Sequence, residues 1–150
     1  MKTSTHRKIF TLLSVVLVLS VYLSGCSSKE LSTQEDLAMA SLDGMPVEVK
    51  AAPVTVQQAY QFAVANPEIM KQIPCYCGCG AMGHASNYAC YVSDVDENGV
   101  VRYDTHALGC SICVDITQDS MRLVRQDKTA AEIKLYIDQT YSQFGPSNIP

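Results

Sequence analysis

Sulfur and imidazole are the groups in this chain with chemistry to offer. They crowd into the stretch between positions 75 and 113. The first group is Pro74-Cys75-Tyr76-Cys77-Gly78-Cys79-Gly80, where cysteine recurs at every second residue. His84 and Cys90 follow, and then His106-Ala107-Leu108-Gly109-Cys110-Ser111-Ile112-Cys113. Thiolate and imidazole together suit soft or borderline cations, above all Cu(I) and Zn(II). The candidate ligands are Cys75, Cys77, Cys79, His84, Cys90, His106, Cys110 and Cys113. Six sulfurs and two imidazoles exceed one tetrahedral site, so two cations, or one cation and a disulfide, fit the count.

Two other chemistries compete. Six cysteines outside the cytoplasm can pair as three bridges, in fifteen ways. A bridge across Cys-x-Cys is strained, so each loop cysteine would need a distant partner, and the histidines would stay unexplained. Thiol–disulfide exchange is the third reading. Cys110, near a helix N-terminus, would attack as thiolate, and Cys113 would resolve. Haem attachment is disfavoured because Val114, not His, follows Cys110-x2-Cys113. There is no Ser elbow, His-Glu-x2-His or phosphate loop, so the chain is not read as an enzyme. Asp94-x-Asp96-x-Asn98-Gly99 begins like a calcium loop. Its twelfth position is Thr105 rather than Glu, which leaves a plain acidic hairpin.

The N-terminus says where this chemistry operates. Lys2, Arg7 and Lys8 precede an apolar stretch, residues 9–23, the length of a signal-peptide core and short for a membrane span. The stretch ends in Leu23-Ser24-Gly25-Cys26. This resembles a bacterial lipobox, which implies cleavage before Cys26 and a lipid on its thiol. The expected organisation is a signal peptide over 1–25, a lipidated tether over 26–53 and a cysteine-rich domain over 54–150. Localisation follows: the extracytoplasmic face of the cell membrane, with the bilayer as partner through the lipid. From Cys26 onward, 8 Lys and Arg stand against 15 Asp and Glu, a net charge of −7. That balance disfavours nucleic acid and anionic lipid surfaces.

The elements that must position the sulfurs are short. Val56, Tyr60, Ala63 and Val64 recur at helical spacing and predict a helix over residues 55–65. Asn66-Pro67-Glu68 reads as cap, first helical residue and acidic first turn of a second helix over 67–72. Pro74 then starts an extended segment in which alternate cysteines share a side. Residues 91–95 and 100–103 read as strands joined by a two-residue Asn98-Gly99 turn. One helix from His106 to about Gln126 would put His106, Cys110 and Cys113 on one face. Thr129-x-x-Glu132 is a capping box opening a last helix over 130–143, which would bury Ile133, Tyr136, Ile137 and Tyr141. The fold class is mostly α with one small β-hairpin, a cysteine-rich helical domain on a lipid-anchored tether.

Residues 74–80, with Gly83-His84-x-Ser86-Asn87 and His106-x3-Cys110-x2-Cys113, resemble the bacterial lipoproteins named for their PCYCGC motif. A weaker resemblance runs through the C-terminal third. Cys110-x2-Cys113, Asp119-x-Met121-Arg122, Thr129-x2-Glu132-Ile133-x2-Tyr136 and Tyr141 are similar to the small thiol reductases of cytochrome c maturation. That similarity implies a Cys-x2-Cys pair on a helical hairpin, here with a further cysteine cluster upstream. The combined expectation is a membrane-anchored lipoprotein binding copper or zinc. The alternatives are a thiol-exchange protein or a domain stapled by disulfides. Another exported metal- or thiol-containing protein is the expected partner.

Overall fold

The computed structural model describes residues 37–149. The basic start, the apolar stretch and Cys26 lie outside the described residues. In chain order come α1 (Val47–Lys50), α2 (Val54–Ala65), α3 (Pro67–Met70), β1 (Val92–Val95), β2 (Val101–Tyr103), α4 (Ser111–Val124) and α5 (Ala130–Tyr141). Single 3₁₀ turns occupy Cys79–Met82, Tyr88–Cys90, His106–Leu108 and Ser142–Phe144. The class is mostly α with one antiparallel hairpin, as expected. Among the described residues no helix is long and apolar enough to cross a membrane.

α4 is the central element, packed on α2 along one side and on α5 along another. It buries Cys113, Val114, Ile116, Thr117, Ser120, Met121 and Leu123, a wider stripe than its aliphatic residues alone suggest. Tyr60 of α2 is fully buried, its ring edge-on to Tyr91 at 4.9 Å, and its hydroxyl donates to the Asp104 carbonyl at 2.8 Å. Ile133 and Ile137 of α5 complete this core, while Tyr136 is only half-buried. The capping box at Thr129 forms with both reciprocal bonds. That satisfies two backbone donors an uncapped helix would leave open.

Four local expectations are corrected. The segment 37–53, expected as tether, is packed. The Ala40 N–H donates to the Gln61 carbonyl at 3.0 Å, the Gln61 side chain returns a bond to Ala40 at 2.8 Å, and Met45 and Val49 are buried. Pro46 and Pro53 sit at the N-caps of α1 and α2, where a missing N–H costs nothing. Asn66 does occupy the N-cap of α3, but its side chain turns back to the carbonyls of Phe62 and Ala38, both at 2.8 Å.

The helix expected from His106 is broken. A 3₁₀ turn ends at Leu108, Gly109 and Cys110 leave helical geometry, and α4 starts afresh at Ser111 with Cys110 as its N-cap. The hairpin turn is also longer than the expected pair. Gly99 N–H closes a turn onto the Asp96 carbonyl at 3.0 Å, and Asp96 N–H reaches the Val100 carbonyl at 3.1 Å. The Asp96 carboxylate selects this loop by accepting from the N–H groups of Asn98 at 2.9 Å and Val100 at 2.8 Å.

Candidate metal centre

The Cys75–Cys79 loop is held open-ended by its neighbours. Asn87 N–H donates to the Ile73 carbonyl at 2.8 Å, and Cys75 N–H donates to Asn148 Oδ1 at 2.7 Å. Tyr76 points away from the sulfurs, its hydroxyl on Asp138 Oδ1 at 2.6 Å. The alternation expected for an extended segment therefore holds, with Cys75 and Cys77 sharing a side at 3.4 Å between sulfurs. Gly78 then adopts φ +84°, a left-handed conformation that costs a side-chain-bearing residue energy, and this curls Cys79 back toward the same centre.

The second arm comes from α4. Cys110 at the N-cap and Cys113 one turn in bring their sulfurs to 3.1 Å. The buried Tyr91 hydroxyl donates to the Cys113 carbonyl at 2.8 Å and also meets Thr117 Oγ1 at 2.7 Å. Cys113 lies 3.3 Å from Cys75 and 3.6 Å from Cys77, and the Cys77 sulfur is 3.4 Å from His106 Nε2. Cys79 and Cys90 face each other at 3.7 Å.

All eight candidate ligands thus join one continuous cluster. Four sets have ligand atoms all within 4.8 Å of one another: Cys77, His106, Cys110 and Cys113; Cys79, His84, Cys90 and His106; Cys75, Cys77 and Cys79; and Cys75, Cys90 and Cys113. Among the described residues no two sulfurs are at bonding distance, so these six cysteines are unbridged thiols. A tetrahedral Zn–S₄ site has sulfur edges of about 3.8 Å, so spacings of 3.1–3.7 Å need only a slight opening to admit a cation. The donor set therefore fits a soft metal.

The electrostatics favour one anionic sulfur before any cation arrives. Hydrogen bonds from Cys113 and Cys90 outweigh burial at Cys75 and pull its thiol well below the usual thiol range. Cys113, donating to Cys75, is pushed up, as are Cys77 and Cys79, chiefly by burial and then by the Cys75 charge. A group of thiols that shares one negative charge and resists more is a place where a cation completes deprotonation.

Two supporting residues carry no cysteine or histidine signature and were missed from sequence. Asn148 spans the loop: besides holding Cys75, its Nδ2 donates to the His84 carbonyl at 2.9 Å and approaches the Cys79 sulfur at 3.6 Å. Asp104 accepts from the His106 N–H at 2.7 Å on one oxygen and lies 3.5 Å from His84 Nε2 on the other. A polar residue flanked by turn formers, such as Gly145-Pro146-Ser147-Asn148, was the available hint for the first. Beside the cluster, a groove of about 350 Å³ runs past Cys110, lined also by Pro53, Val56, Leu108 and Val114.

No curated protein and no solved structure matches this chain. The family described as protein of unknown function with PCYCGC motif matches residues 15–148, nearly the whole chain, and the chain belongs to that family.

Proposed function

We propose that this is a membrane-anchored, extracytoplasmic protein that binds copper or zinc through its Cys/His cluster. The observation carrying this is the convergence of six thiols and two imidazoles from three separate stretches of chain into overlapping ligand sets. Stapling alone explains neither the unbridged sulfurs nor the histidines placed among them. Thiolate-rich donors suit Cu(I), and mixed sulfur and nitrogen donors suit Zn(II). The anchor rests on Leu23-Ser24-Gly25-Cys26, and the negative balance beyond Cys26 supports a body that meets cations rather than nucleic acid. The expected partner is another exported protein that exchanges metal or thiol state with the cluster.

The full chain, purified reduced and reconstituted separately with Zn(II) and Cu(I), is expected to retain metal through desalting against a weak chelator. Elemental analysis reads the result. Replacement of Cys113, which belongs to two of the ligand sets, is expected to lower retention at least tenfold. Retention of neither metal by the unsubstituted chain removes the proposal.

A second reading has one observation of its own. Cys110 is half-exposed at the N-cap of a 14-residue helix, beside the groove, while Cys113 behind it is fully buried. An exchange protein of this design accumulates mixed disulfides with partner proteins in Cys113→Ser and not in Cys110→Ser. Equal absence of trapped species from both variants excludes it.

A further inference from the structure

Resting on the metal-binding reading, we infer that the cluster is built for two cations, and that His84 enters the second site through Nδ1. The two four-membered ligand sets share a single residue, His106. One set is completed by Cys77, Cys110 and Cys113, the other by Cys79, Cys90 and His84. Cys75 belongs to both three-sulfur sets, so its sulfur lies between the halves and is placed to bridge them. A single tetrahedral ion uses four donors, which would leave the other half a buried group of thiols and imidazole with no cation to justify its burial.

His84 supplies the independent observation. Its side chain is only 11% exposed, and its Nδ1 is buried without any hydrogen-bond partner. Its other ring nitrogen faces the Asp104 carboxylate at 3.5 Å. A carboxylate there favours the tautomer with the proton on Nε2 and leaves a lone pair on Nδ1. Buried polar atoms normally find partners, and the ring of this one belongs to a ligand set with Cys79, Cys90 and the His106 imidazole. A cation among Cys79, Cys90 and His84 satisfies it. Asp104 is then a positioning residue for both imidazoles, through the ring of His84 and the backbone of His106.

The test titrates the full reduced chain with Zn(II) and with Cu(I) and counts bound ions by native mass spectrometry. Two equivalents are expected. His84→Ala and Cys79→Ser are each expected to bind one. Asp104→Asn is expected to bind the first ion unchanged and the second about 10–100-fold more weakly. The cadmium NMR spectrum of the unsubstituted chain guards against misfolded variants, with two signals expected. One equivalent with a single cadmium signal overturns the two-site inference and leaves metal binding intact, whereas no bound ion overturns both.

Discussion

Chelation of the metal-loaded chain is expected to lower its unfolding temperature by about 15 °C or more. The donors belong to segments far apart in sequence, so an unfolded chain cannot present them together, and the cation binds the folded state alone. At a free metal concentration a thousandfold above Kd, such binding stabilises by about 4 kcal/mol. For a domain near 100 residues, each kcal/mol moves the midpoint by roughly 4 °C. Structural zinc sites in small domains exceed this figure several-fold, so it is a floor. The metal-free core that remains is modest, centred on Tyr60, Phe62, Ile116, Ile133 and Ile137. Thermal scans of the reduced full chain, loaded and then chelated, make the comparison. Coincident transitions would show that the cluster contributes nothing to folding and would count heavily against a metal seated at its centre.

Gly145→Ala is expected to destabilise the domain by about 2–3 kcal/mol without touching any sulfur. A Cβ at this position would stand 2.7 Å from the Tyr76 carbonyl oxygen. The obstacle is backbone, so no side chain can swing aside. The backbone of Gly145 is extended and any residue could adopt it; the penalty is one of space. Relief requires the tail to lift from the Cys75–Cys79 loop, which takes Asn148 off Cys75, Cys79 and His84. Asn148→Ala removes the same contacts without the clash and is expected to cost about 1–2 kcal/mol. Urea unfolding of both variants measures the difference. If Gly145→Ala matches the parent, the tail does not press on the loop as described here.

Local signals were legible because their physics is local. The Thr129–Glu132 capping box, the proline opening α3 and the alternation of Cys75 and Cys77 each need only neighbours within a few residues. The break at Gly109 was not legible, because the periodicity of His106, Cys110 and Cys113 suits a continuous helix equally well. What decides it is the cluster itself, which draws His106 toward Cys77 while α4 packs on α2 and α5. Asn148 and Asp104 were invisible for a related reason. Asn148 acts on Cys75 from 73 residues away, and nothing in its immediate neighbours announces that target. The packing of residues 37–53 was hidden by three interrupting residues, Gly44, Pro46 and Pro53, which break any periodic pattern. Two of these turned out to be helix starts. Convergence of the sulfurs, by contrast, was already implied by their number in so short a stretch.

The hairpin has a topological consequence. β1 leaves directly from Cys90 and Tyr91, and β2 delivers Asp104 and His106. Five of the eight donors therefore precede the exposed tip at Asn98 and three follow it. A protease nick at that tip would yield two fragments, each carrying an incomplete share of the ligands. The β1–β2 ladder, cross-links such as Cys75 N–H to Asn148, the shared core and the seated ion would then hold the halves together, so the nicked pair is expected to separate at lower denaturant once the ion is removed.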